Sequence, residues 1–274
     1  MSSTVRTFGA RWLAYLPAAV AFGLGVAHIV YMHVMYDDAF ISYRYAANLA
    51  HGLGLVYNPG ERVEGYSNFL WTLLMAAVVL LGGRPEDWAP LLGALFAAAT
   101  LVLVIWFAQR RGKYGALAGL LLASSTCWAT WATGGLETAL FGGLVTLGVV
   151  GAMVALERPR KTRTHWLDAS AIGMGLACVT RPDGLLVAAC AWVAMIVFTI
   201  RRRLRWGELV YWTALAGLIV LPHIAWRQSY YGRVLPNTYA VKPPGLSQDP
   251  TCLTQKWTSL TAATNLAAHL FGRG

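Results

Sequence analysis

The 274 residues are 57 % hydrophobic and only 12 % charged, with a mean hydropathy of +0.51. A soluble domain carries about 25 % charge, so this chain lacks the polar residues of a water-facing surface, and its long apolar runs indicate a polytopic membrane protein. The net charge of +10 is gathered in clusters between those runs, the pattern of cytoplasmic loops and not of a nucleic-acid surface.

The first apolar run, 12–35, is too long for a signal-peptide core and has no small-residue cleavage site before Asp37, so it reads as a retained helix. Further runs fall at 69–82, 89–108, 115–133, 138–156, 169–179, 185–200 and 209–226. Together they predict an all-α polytopic transmembrane bundle of about seven to eight membrane helices. A span needs about 20 residues, so 69–82 and 169–179 are short. Cys127, Cys178 and Cys190 lie within apolar runs and Cys252 in the tail, without metal-ligand spacing.

The basic clusters are Arg110, Arg111 and Lys113; Arg158, Arg160, Lys161 and Arg163; and Arg201, Arg202, Arg203 and Arg205. Anchoring them in the cytoplasm, with Arg6 and Arg11, orients the chain. Two full crossings between Asn68 and Ala108 would put Arg110 outside, so 69–82 is expected not to cross completely. Four polar islands then share the extracytoplasmic face: 37–68, 134–137, 181–183 and 227–242.

The first island holds Asp37, Asp38, Glu61 and Glu64, four of only 12 acidic residues. Residues 37–49 read as a short interfacial helix with both aspartates at its N-terminus, where negative charge is favoured. One Asp would suffice as a cap; two adjacent carboxylates repel unless a ligand, cation or arginine uses them. Residues 52–68 carry turn signals, Asn58-Pro59-Gly60 among them. Glu61, Arg62 and Glu64 suit a surface ion pair, and Tyr57, Tyr66 and Trp71 offer faces for a sugar or isoprenoid. Glu137 and Asp183 are acidic residues beside apolar runs, which makes them functional candidates, while Arg181 beside Asp183 also suits a self-contained pair. Arg227, Arg233 and Lys242 are positive on a face the charge rule disfavours, as an anionic lipid phosphate would require.

The stretches Asp37-Asp38-Ala39-Phe40-Ile41-Ser42-Tyr43-Arg44-Tyr45 and Asn58-Pro59-Gly60-Glu61-Arg62-Val63-Glu64-Gly65-Tyr66-Ser67-Asn68 resemble the first external loop of a GT-C group of membrane glycosyltransferases. That group includes the actinobacterial terminal β-(1→2) arabinofuranosyltransferases and relatives described as flagellar motor control proteins. Thr133-Gly134-Gly135-Leu136-Glu137-Thr138-Ala139, Arg181-Pro182-Asp183-Gly184 and Tyr231-Gly232-Arg233-Val234-Leu235-Pro236-Asn237-Thr238 resemble its later blocks in the same order. The resemblance implies a multi-pass inner-membrane enzyme with an extracytoplasmic active face. It implies a polyprenyl-phosphate sugar donor and a cell-envelope glycan or lipid acceptor. Asp37 or Asp38 would be the catalytic base, with a divalent cation, Mg or Mn, as a possible assistant. Donor and substrate contacts would come from Tyr43, Arg44, Glu61, Glu64, Tyr66, Asn68, Glu137, Arg181, Asp183, Tyr231, Arg233, Asn237 and Lys242.

Members of the group are usually longer, with a C-terminal extracytoplasmic domain. The expectation is therefore an incomplete catalytic core over 1–246 and a divergent or disordered tail over 247–274. The alternatives are a truncated, non-catalytic membrane protein or subunit that needs a partner chain, and a transporter. The transporter ranks last because the chain shows no internal repeat.

Overall fold

In the computed structural model, the described residues are 3–112, 115–234 and 236, with backbone alone for 3–15, 160 and 161. The chain divides into a unit Met1–Val234 and a unit Leu235–Gly274. Asn237, Lys242 and the expected boundary at 246 lie outside the described residues. The first unit is built from α1 (Ser3–Tyr31), α2 (Ala39–Ala50), α3 (Phe69–Leu80), α4 (Pro85–Gln109), α5 (Gly115–Ala123), α6 (Thr126–Ala132), α7 (Thr138–Glu157), α8 (Arg160–Thr180), α9 (Asp183–Ile200) and α10 (Trp206–Tyr231). Among the described residues there is no strand. Helices α4, α7, α9 and α10 are each long and apolar enough to cross a bilayer. The protein is a polytopic helical membrane protein.

Local chemistry sets several boundaries. The apolar run 115–133 is not one helix: the Ser124 hydroxyl donates to the Leu121 carbonyl, and Ser125 caps α6 by accepting from Trp128 N–H. Serine offers the backbone these alternatives to a continuous ladder. α8 stops at Thr180 because Arg181 precedes Pro182 and is held extended, at φ −145° and ψ 143°. α10 ends on Gly232 in the left-handed region at φ 72°.

Helix contacts are close where side chains are small. A β-carbon on Gly173 would lie 2.8 Å from the Leu144 carbonyl oxygen, so α7 and α8 meet almost backbone to backbone. The same seam carries a buried polar link, in which Trp212 Nε1 donates to Ser170 Oγ at 3.0 Å and Ser170 Oγ donates to the Gly148 carbonyl at 2.7 Å. Ala155, Leu167, Ala171, Met174, Met195, Leu204, Leu209 and Trp212 form the apolar core around it.

The two ends of the bundle differ chemically. One gathers the arginines: Arg111 pairs with Glu157, Arg163 with Glu208 at 3.2 Å, and the Glu208 carboxylate also accepts from Arg205 N–H at 2.8 Å. The other end holds α2, the first three polar islands and the described start of the fourth, 227–234. α3 is 12 residues long, about 18 Å at 1.5 Å per residue, against a hydrocarbon core of about 30 Å. Ala89, in the second turn of α4, packs with Ala39, Tyr43 and Ala46 of α2 and with Trp71 and Met75 of α3. α4 therefore begins at the α2 end, and α3 is shorter than that hydrocarbon core.

That geometry predicts a labelling pattern. With Cys127, Cys178, Cys190 and Cys252 replaced, single cysteines at Asn58 and Leu81 are expected to react with a membrane-impermeant maleimide from the same side, and one at Arg110 from the other. Labelling of Leu81 from the side of Arg110 would show that α3 crosses.

Candidate functional site

The 37–68 segment is held at its start by the turn between α6 and α7. Tyr36 N–H donates to the Gly134 carbonyl at 3.2 Å, and the Tyr36 ring stacks on Trp131 with centroids 4.6 Å apart. Gly135, at φ +81°, turns its carbonyl toward α2 and α3, where Tyr43 Oη and Trp71 Nε1 both donate to it at 3.0 Å. A β-carbon there would lie 2.6 Å from Tyr43 Oη, so the position accepts only glycine without displacement. Trp71 is wholly buried and offers no ring face to a ligand. On the outer side of α2, Phe40 and Ile41 are exposed apolar residues, as an interfacial helix requires.

A chain of buried polar groups joins three of the islands. Ser42 Oγ donates to Asn68 Oδ1 at 2.9 Å, Asn68 Nδ2 donates to Glu137 Oε2 at 2.7 Å, and Arg181 Nη1 donates to Glu137 Oε1 at 2.7 Å. Arg181 then reaches Asp183, its Nη2 2.9 Å from Oδ2. Thr72 Oγ1 donates within the same turn, to Asn68 Oδ1 at 3.1 Å. Ser42, Asn68, Thr72 and Glu137 are all buried, while Arg181 is half-buried and Asp183 exposed. Arg181–Asp183 is thus the outer end of a network from α2 to α9, not a self-contained pair.

The described part of the fourth island, 227–234, closes on the first. Glu64 is not at the surface but buried, with Oε1 3.0 Å from Arg227 Nε of α10. Among the described residues neither Glu64 oxygen nor Arg227 Nε has a well-aligned hydrogen bond, although Arg227 Nη1 donates to the Val234 carbonyl at 3.2 Å. Burial pushes the Glu64 carboxyl up to about 7, against the opposing pull of Arg227. Folded Glu64 therefore binds its proton more tightly than the unfolded chain does, and stability falls as pH rises through the window from about 4.5 to about 7. Melting curves of the protein in detergent between pH 4 and pH 8 should show this slope, and Glu64→Gln should flatten it; an unchanged slope in the variant would assign it elsewhere.

Aromatic residues bind the same loop to α10. Tyr66 Oη lies 3.3 Å from Tyr231 Oη, Tyr231 donates to the Leu55 carbonyl, and Leu55 N–H donates to Tyr230 Oη at 3.1 Å. The Tyr66 ring packs edge-on against Tyr45, whose hydroxyl donates to the Val63 carbonyl at 2.7 Å. Burial raises the Tyr43, Tyr45 and Tyr66 phenols above their ordinary range, so they remain neutral donors. Beside them, Leu49, Leu55, Phe69, Trp226 and Tyr230 line a cavity of about 330 Å³. His223, buried against the Phe69 ring at 4.3 Å, has no hydrogen-bond partner for either ring nitrogen among the described residues. Its burial comes from packing between elements, and an apolar run around a lone histidine gives no signal of it.

The remaining candidates stay open to solvent. Asp37 and Asp38 are exposed, and Asp37 Oδ1 accepts from Asp38 N–H at 3.0 Å. Arg44 Nε donates to the Tyr57 carbonyl at 3.4 Å, Glu61 accepts from Asn58 Nδ2 at 3.2 Å, and Arg62 lies over the Tyr230 ring at 4.8 Å. Arg233 is exposed in the turn after Gly232. The site thus combines two open carboxylates, a half-exposed guanidinium and an apolar cavity at one end of the bundle.

Sequence comparison gives two relatives. The chain is 29 % identical over 246 residues to a terminal β-(1→2)-arabinofuranosyltransferase of Mycobacterium tuberculosis, covering 84 % of this chain and 38 % of that protein. It is 29 % identical over 231 residues to a protein of the same name from Corynebacterium glutamicum, covering 75 % and 32 % respectively. The chain therefore spans about a third of the length of these curated relatives. No family model and no solved structure matches it.

Proposed function

We propose that this chain carries the active-site end of an inverting GT-C membrane glycosyltransferase, with a polyprenyl-phosphate sugar, an arabinofuranose, as donor. The acceptor is a hydroxyl of a cell-envelope glycan or lipid on the extracytoplasmic side of the plasma membrane. One observation carries the reading: the segment with Asp37 and Asp38 is bonded to Gly135 and Glu137, and through Glu137 to Arg181 and Asp183, at the end of the bundle opposite the arginine clusters. The similarity to the two arabinofuranosyltransferases supports it.

In this mechanism the carboxylate of Asp37 or Asp38 takes the acceptor hydroxyl proton. The acceptor oxygen bonds to the anomeric carbon as the bond from that carbon to the phosphate oxygen breaks, and polyprenyl phosphate leaves. Arg181, which keeps 35 % of its side chain exposed beside Glu137 and Asp183, binds the phosphate together with Arg233; Asn237 and Lys242, outside the described residues, are assigned to donor binding as well. Arg227 is committed to Glu64 and the Val234 carbonyl and serves to position the loop. The isoprenoid lies along the Phe69–Trp226–Tyr230 cavity, and Tyr57, about half-exposed, offers a ring face to a sugar. Among the described residues no group of three His, Cys, Asp or Glu could hold a metal ion by itself. Asp37 and Asp38 would nevertheless be the residues to hold a Mg²⁺ or Mn²⁺ ion, since such ions bind through one or two carboxylates and substrate oxygens. A bound ion would neutralise charge on the departing phosphate.

The test is transfer of labelled sugar by membranes carrying this chain, with a polyprenyl-phosphate donor beside a nucleotide-sugar donor. Transfer from the lipid donor alone is expected. Transfer from the nucleotide donor, or from neither, would overturn the proposal.

A further inference from the structure

The opposite end of the bundle holds a second cavity, of about 490 Å³, between the last turns of α7 and α9. Its walls are apolar, formed by Val149, Ala152 and Met153 on α7 and Ala194 and Phe198 on α9, with buried Met195 as floor. α8 packs behind, its Ala171 and Met174 in one core with Met195 and Ala155. Arg111, Arg201 and Arg203 rim its polar end.

The charge at this rim is unbalanced. Among the described residues the one carboxylate lining it, Glu157, is taken by Arg111. Glu208, nearby, is taken by Arg163, and Asp168 accepts from Tyr211 Oη at 2.7 Å. Among the described residues Arg201 and Arg203 have no carboxylate partner. Two uncompensated guanidinium groups at the mouth of an apolar groove in the membrane wall match one ligand shape: an anionic head on a hydrocarbon tail. Cations at this level of a bilayer attract anionic headgroups, and a guanidinium holds a phosphate through paired donors.

We propose that this groove is a binding site for an anionic phospholipid, with an acyl chain between α7 and α9 and the phosphate on Arg201 and Arg203. The site is separate from the polar islands and stands whether or not the chain transfers sugar. Arg111 orders the mouth through Glu157 and does not itself face the phosphate.

Native mass spectrometry of the whole chain in detergent, titrated with phosphatidylglycerol or phosphatidylcholine of equal chain length, tests this directly. Phosphatidylglycerol should bind at least tenfold more tightly. Arg201→Gln/Arg203→Gln should bring it to the phosphatidylcholine level by removing the charge. Ala194→Trp should do the same by filling the groove with both arginines in place. Glycerol 3-phosphate should not compete at millimolar concentration, because it lacks the tail. Equal binding of the two lipids by the wild-type chain would overturn the site, as would undiminished phosphatidylglycerol binding in both variants. Competition by glycerol 3-phosphate would overturn the role of the groove.

Discussion

Membranes carrying Asp37→Asn/Asp38→Asn are expected to lose about 10²- to 10⁴-fold in sugar transfer, the usual contribution of a positioned acid or base. Protein level and melting behaviour should remain those of the wild type. The separation of the two effects follows from the geometry. Both side chains are exposed, and among the described residues Asp38 makes no capping hydrogen bond to α2 and Asp37 accepts only from the next backbone N–H, a bond that Asn retains. The fold has little use for their charge. The single variants then identify the base: the one that reproduces the full loss carries the proton, and the other should show a smaller effect through the local field. Full activity in both single variants and in the double would remove the carboxylates from the mechanism.

The second large effect is structural. Glu137→Ala should destabilise the chain by about 3 kcal/mol, the low end of the range for breaking a buried ion pair. The low end applies because Arg181 retains 35 % side-chain exposure and recruits water, whereas the amide of buried Asn68 loses its acceptor outright. Glu137→Gln should cost less, since one amide oxygen still accepts a hydrogen bond. A double-mutant cycle with Asn68→Ala separates the network from two independent losses: a coupling of about 1 kcal/mol or more is expected. Simple additivity of the two alanine variants would show that the Asn68–Glu137 bond carries no energy.

Much of this architecture was legible in the sequence. Apolar runs and basic clusters were enough to place the polar islands at one end and the arginines at the other, and the parity of crossings singled out 69–82. Both are local or counting signals. What escaped was pairing. Nothing in a loop of turn residues says that Glu64 is buried against Arg227 while Glu61, three positions away, stays in solvent. Nor do Ser42 and Thr72, ordinary helix residues in sequence, announce that they hold the Asn68 amide in the orientation Glu137 needs. The break at Ser124–Ser125 was hidden because its apolar surroundings continue unchanged on both sides. Such choices are made by tertiary contacts between elements far apart in the chain, which no window of the sequence contains.

The clasp between Leu55 and Tyr230 spans 175 positions of chain. A ribosome adding about 5–20 residues per second needs roughly 9–35 s to cover that distance. During that interval the first loop is already translated while its anchor does not yet exist. Glu64, Leu55 and Tyr66 would spend that time without the groups that bury them. The nascent chain thus has a vulnerable period built into its topology, in which a protease or a holdase on the loop side of the membrane meets an unlatched segment. Slowing elongation before α10 should lengthen that exposure, and speeding it should shorten it.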